Sequence, residues 1–227
     1  MDLFPVLALG FLLGMRHATD SDHVVAITAI VSREKSLRAA SLIGALWGLG
    51  HSAAILVVGG AIVLFGVVLP ARVALTLELS VAVMLILVGL YNVLAFRRAV
   101  RGTEPEDPSG AAPRHVLRGR GLRPLLVGTV HGLAGSAAVA LLVLTTIHTP
   151  VVAVIYLVLF GIGTLVGMTL VTTAMALPLA LAARRVSSFS GHIGVVTGLF
   201  SVAFGLLMTY QIGFVDGLFR PELHLPQ

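Results

Sequence analysis

Arg16-His17-Ala18-Thr19-Asp20-Ser21-Asp22-His23 interrupts an apolar run that extends from Leu3 to Val31. A carboxylate at mid-bilayer costs about 2.5–3.5 kcal/mol on insertion scales. Two aspartates in such a run therefore need partners or a bound cation, and ionisable groups inside a span are functional by default. The competing account is a buried cluster of ion pairs and hydrogen bonds in which Arg16 neutralises one aspartate.

The rest of the chain fits a membrane setting. Of its 227 residues, 57% are hydrophobic and 11% charged, against about 45–50% and about 25% in soluble domains. Met1-Asp2-Leu3-Phe4-Pro5 lacks a basic n-region, so no signal peptide is expected. The chain contains no cysteine, which excludes disulfides, thiolate metal sites and dithiol redox chemistry. A spanning helix needs about 20 apolar residues. Six candidates meet that length: 3–31, 39–68, 72–96, 123–147, 150–183 and 190–213. The first, second and fifth exceed the minimum and are expected to tilt, bend or break. Pro70, Pro124 and Pro150 fall at span ends, and Pro178 is expected to kink the fifth span.

The net charge of +5 is not a nucleic-acid signature, because the positive charge gathers in alternate loops. Twelve of the fifteen Lys and Arg residues lie in 32–38, 97–123 and 184–189. Only Arg72 and Arg220 lie in the opposite set, and Arg16 is inside the first span. The positive-inside rule then places the basic loops in the cytoplasm and both termini outside. The segment 101–122 is rich in Gly, Pro and Arg and reads as a cytoplasmic loop. It carries a single histidine, His115.

The halves on either side of that loop resemble each other. Leu12-Leu13-Gly14-Met15-Arg16-His17 aligns with Leu126-Val127-Gly128-Thr129-Val130-His131. Trp47-Gly48-Leu49-Gly50 aligns with Phe160-Gly161-Ile162-Gly163, and Val88-Gly89-Leu90 with Phe204-Gly205-Leu206. Three spans per half is an odd number, so the halves must face opposite ways. The expected fold is all-α: two inverted three-helix repeats, residues 1–100 and 123–227, with a site near the midplane between them.

Imidazole nitrogen and carboxylate oxygen suit nickel, cobalt, zinc or iron(II), whereas magnesium and calcium favour oxygen alone. At about 100° per residue, His17, Asp20 and His23 share one stripe of an unbroken helix, and Asp22 points away. All four converge only if the helix opens near Gly14 or Ser21. Otherwise one carboxylate orients a histidine from behind. His51, in Trp47-Gly48-Leu49-Gly50-His51-Ser52, sits mid-way along the second span, where glycines permit close helix approach. His131 is either a further ligand or a helix–helix hydrogen bond worth about 1 kcal/mol. Its neighbours Ser136 and Ala137 align with Asp22 and His23, so the second half offers at most His131 and hydroxyls such as Ser136 or Thr164. Glu78 is a candidate for drawing cations to the outer entrance, and His148 and His192 are expected at the interfaces.

Arg-His-Ala-x-Asp-x-Asp-His, containing His17-x4-Asp22-His23, followed by Leu49-Gly50-His51-Ser52, resembles the nickel/cobalt transporter family. The His131-Gly132-Leu133-Ala134-Gly135-Ser136 run is similar to its shorter urease-accessory, or high-affinity nickel-transport, branch. The resemblance implies secondary transport of Ni2+ or Co2+ through the cytoplasmic membrane, with His17, Asp22, His23 and His51 in metal recognition. It also implies cytosolic nickel-enzyme maturation proteins as partners. Typical members have eight spans, with the motif in the second, and carry acidic motifs in the second half. Here Gly167-Met168-Thr169-Leu170-Val171-Thr172-Thr173 has no carboxylate. Efflux relatives tend to carry a histidine-rich cytoplasmic loop, which is absent here, so uptake is the expected direction.

The expected metal-site residues are thus His17, Asp20, Asp22, His23, His51 and His131. The divalent ion is cargo, and no resident cofactor, catalytic residue or nucleic-acid partner is expected. A metal efflux carrier of the same fold is the nearest alternative. An intramembrane serine protease built on Ser136 is a more distant one: it lacks the Gly-x-Ser-Gly context, needs a base within reach of the serine, and leaves His17 to His23 unexplained. No Gly-x4-Gly-Lys-Ser/Thr motif is present, so transport would draw on a gradient, the membrane potential or a partner.

Overall fold

A computed structural model describes residues 3–32, 34, 36–67, 69–100, 122–134, 146–147, 149–185 and 189–221. The described residues form helices α1 (Leu3–His17), α2 (Ser21–Val31), α3 (Leu37–Phe65), α4 (Ala71–Val100), α5 (Leu122–Leu133), α6 (Pro150–Arg185) and α7 (Phe189–Tyr210). A short π-helical turn, Gln211–Val215, follows α7. Within α3, α4, α6 and the α7 end of the chain, Leu37–Phe65, Ala71–Arg98, Pro150–Leu181 and His192–Val215 are each long and apolar enough to cross a membrane. The 101–121 part of the basic loop, and Ser136, Ala137 and His148, lie outside the described residues.

Local sequence accounts for the helix ends. Ser36 caps the start of α3 by accepting a hydrogen bond from the Ala39 N–H, satisfying one of the unpaired donors of a first turn. Gly66 ends α3 in the left-handed region at φ +61°, a conformation that glycine adopts without a Cβ penalty. Pro150 opens α6, where its missing N–H costs nothing, and α6 continues through Pro178 as one helix.

The first expected span is not one helix. It breaks between His17 and Ser21, so that α1 and α2 are separate short helices. The backbone stays satisfied across the break: Thr19 N–H donates to Arg16 O at 2.8 Å and Asp20 N–H to His17 O at 3.1 Å. Irregular backbone at membrane depth is tolerated where it lines a protein-enclosed site, and that is what occupies this corner.

Packing centres on α3 and α6, which lie against each other. α1 packs on α6, α5 on α3, and α4 pairs with α7. Glycines set the closeness of these contacts. Gly14 of α1 meets the Phe160 backbone of α6, while Gly128 of α5 meets the Trp47 backbone of α3. Gly163 meets Phe11, and Gly50 meets Leu125. Gly89 meets Gly198 and Val202, and Gly205 meets Ala82 and Ile86. A side chain at any of these positions would collide with the neighbouring helix, so the glycines let helix backbones touch. The buried core beside the break gathers Ala18, Val25, Ala26, Ile27, Trp47, Leu85 and Met168, and a second cluster holds Ile55, Tyr156, Leu157 and Phe160. Large apolar side chains such as Val57, Phe65, Leu170 and Leu207 face outward, as a lipid-facing surface requires.

Candidate metal site

The break brings the charged stretch inward. Asp20 takes the N-cap position of α2 with extended backbone, yet its carboxylate caps no N–H of that helix. It instead accepts from His17 Nδ1 at 2.7 Å. Asp22 lies in the first turn of α2, where the helix dipole favours negative charge. Its two oxygens take different partners: Oδ1 pairs with His23 Nδ1 at 3.0 Å and Oδ2 with His131 Nε2 at 2.8 Å. Both aspartates therefore pair with histidines. Among the described residues, Arg16 forms an ion pair with neither of them.

His51 reaches the same corner from the middle of α3. Its Nε2 lies 3.0 Å from His17 Nε2. Nitrogens bound to one ion through bonds of about 2.0–2.1 Å stand about 3 Å apart, so these two are spaced as neighbouring ligands. His131 is brought in by the α3–α5 contact, where Gly132 of α5 meets the His51 backbone. The His23 ring centroid lies 4.6 Å from that of His17, 4.9 Å from His51 and 4.1 Å from His131.

Two overlapping groups result, each with ligand-capable atoms within 4.8 Å of one another: His17, His23 and His51; and Asp22, His23 and His131. All four histidines are buried, three of them at 0% exposure, so little water reaches the rings. The Asp20 side chain is 44% exposed and that of Asp22 13%, so the cluster is most open on the aspartate side. Among the described residues, His23 Nε2, His51 Nδ1, His131 Nδ1 and Trp47 Nε1 are buried without a hydrogen-bond partner. Buried polar atoms are ordinarily satisfied, so the three unpaired imidazole nitrogens are suited to an ion, whereas Trp47 Nε1–H can only donate. The pattern carboxylate–imidazole–open nitrogen, seen at Asp22–His23 and Asp22–His131, is how metal-binding histidines are oriented and made more basic.

Of the six residues expected from sequence, His17, Asp22, His23, His51 and His131 converge on this cluster, and Asp20 sits behind His17. Thr164 is buried, and its hydroxyl donates to Phe160 O of its own helix at 2.9 Å. Glu78 is partly buried in α4 and lies outside the cluster. His192 is exposed near the start of α7, beside Phe96. Two aromatic walls escaped the sequence reading. Trp47 lies 5.7 Å from the His23 ring and 5.5 Å from His131, and Phe160 lies 5.6 Å from His17. Trp47 and Phe160 occupy matched places in the two halves, which was the signal available.

The helices and this cluster define an all-helical membrane protein with a buried histidine–aspartate centre. Compared with known proteins, the chain is 33% identical over 222 residues to the urease accessory protein UreH of Bacillus sp. (strain TB-90), with 97% of each chain covered. The chain belongs to the nickel/cobalt transporter family, in its urease-accessory branch. No protein-family model and no solved structure matches it.

Proposed function

We propose that this protein is a permease that carries Ni2+ or Co2+ across the cytoplasmic membrane into the cell. The observation that carries the proposal is the cluster itself: histidine nitrogens spaced at 3.0 Å and a carboxylate that orients two further rings, buried among apolar helices. An ion entering there exchanges its hydration shell for imidazole and carboxylate ligands, which replaces the solvation that hydrocarbon withholds. Family membership supports the choice of cargo, and the urease-accessory relative supports delivery of nickel towards a nickel enzyme and its cytosolic maturation proteins.

Six spans as two inverted three-helix repeats are part of the same proposal, with α1 and α2 together making the first. The reciprocal glycine contacts support it. Gly14 on Phe160 and Gly128 on Trp47 join aligned positions of the two halves, as a pseudo-two-fold axis requires. Alternating access would then be a rocking of the halves about the cluster. Both termini outside follows from the basic loops, and uptake from the lack of a histidine-rich cytoplasmic segment.

The test is accumulation of radioactive nickel and cobalt in cells expressing the parent, His17→Ala or Asp22→Asn at matched membrane abundance. The parent should accumulate metal and both variants should lose most of that activity. Parental accumulation by both variants would refute the role of the cluster, and faster metal loss from parent cells would reverse the direction.

A further inference from the structure

We propose that the cluster contains two alternative cation positions that share His23, and that the ion passes between them as His23 changes the ring nitrogen it offers. This rests on the permease function proposed above. The first position is formed by His17, His23 and His51, the second by Asp22, His23 and His131. His23 alone belongs to both.

The chemistry of one ring makes the positions exclusive. A neutral imidazole has one N–H and one lone pair. His23 Nδ1 faces Asp22 Oδ1 at 3.0 Å, while His23 Nε2 is buried and unpaired among the described residues. With its proton on Nδ1, the ring donates to Asp22 and offers Nε2 to the first position. With the proton on Nε2 instead, the Nδ1 lone pair turns to the second position beside the Asp22 carboxylate, and His131 completes it through the Nε2 that here donates to Asp22 Oδ2 at 2.8 Å, its own proton passing to the unpaired Nδ1. Each ring gives up a proton at the nitrogen that binds and takes one up at the other, exchanged with water shed by the ion, so both rings stay neutral; His23 offers one lone pair at a time, and the two positions cannot both use it.

The supporting elements fit a handover. The first position takes His17 from α1 and His51 from α3, and the second takes His131 from α5. His17 and His131 are aligned positions of the two halves, so an ion moving from the first set to the second passes from ligands of the first half alone to a set that includes a ligand of the second half. Trp47 flanks both His23 and His131 and walls the second position.

The experiment uses the full-length protein in lipid nanodiscs, with Ni2+ alone as probe. It combines equilibrium dialysis, nickel X-ray absorption and flux in proteoliposomes. The parent should bind one ion per chain. The His17→Ala/His51→Ala double variant should still bind one ion, with two imidazole ligands. His131→Gln should bind one ion with three imidazoles yet lose at least tenfold in flux. His23→Gln should bind none at concentrations that half-saturate the other variants. Two ions bound together in the parent, no binding by the double variant with parental thermal stability, or parental flux in His131→Gln would each overturn the handover. Should the double variant not fold, His131→Gln decides alone, since its bound nickel reports its own folding. A parent that neither binds nor moves nickel would instead remove the permease function itself, whereas a transporting parent with His131→Gln unimpaired removes only the handover.

Discussion

Asp22→Asn keeps the volume of the side chain but removes its charge and converts one acceptor oxygen into an NH2 donor. Asp22 holds His23 Nδ1 at 3.0 Å through one oxygen and His131 Nε2 at 2.8 Å through the other. An amide can accept from only one of these rings in the same geometry. The other ring must lose its bond or reverse its proton, which turns a lone pair away from the ion. A hydrogen bond to a charged group contributes about 1.5–3 kcal/mol. Loss of the partner behind a metal-binding histidine lowers metal affinity about 10–100-fold, or about 1.4–2.7 kcal/mol. The two scales agree, so the Kd for Ni2+ should rise about 10–100-fold. Nickel uptake at subsaturating metal should fall in proportion. Titration of the purified variant with Ni2+ at neutral pH, beside its thermal melting curve, separates lost affinity from lost folding. An unchanged Kd in a folded variant would refute the orienting role given to Asp22.

Other substitutions and conditions test separate parts of the account. Gly14→Val places a branched side chain against the Phe160 and Thr164 backbone. Overpacking of this kind costs about 1–3 kcal/mol or more, and the variant should melt at lower temperature in detergent, whereas Gly60→Ala, with open space around it, should not. Coordinating imidazoles must be neutral, so nickel affinity should fall progressively as acid protonates them between about pH 7 and about pH 4. An affinity independent of pH across that range would exclude histidine ligation. The cysteine-free chain allows single reporters of topology. Glu34→Cys should react with an impermeant maleimide only after the cells are opened, and Val67→Cys in intact cells; the reverse pattern would invert the topology.

The sequence revealed most of what composition and spacing encode. The apolar runs located α3, α4, α6 and α7 to within a few residues, because hydrocarbon imposes a length on each span. The histidines and aspartates stood out because charge in such runs is costly. The position of the helix break was only bracketed: Gly14 and Ser21 were the two places where opening would let the groups converge. The structure opens the chain just before Ser21 and keeps Gly14 helical, since Gly14 is needed for contact with Phe160. The double role of Asp22 could not be read in one dimension. Its link to His131 spans 109 positions and depends on how closely α5 meets α3, which glycines in both helices set jointly. The alignment of Gly14 with Gly128 and of Trp47 with Phe160 did contain that information, because the aligned residues are the ones in reciprocal contact.

The central claim is that buried imidazoles and a carboxylate take the place of water around a divalent ion. Nickel X-ray absorption on washed, metal-loaded protein in a bilayer tests it most directly. Nickel should be retained with at least two imidazole ligands, and less of it in His23→Gln. Nickel that washes away, or that keeps a shell of oxygen alone, would contradict it.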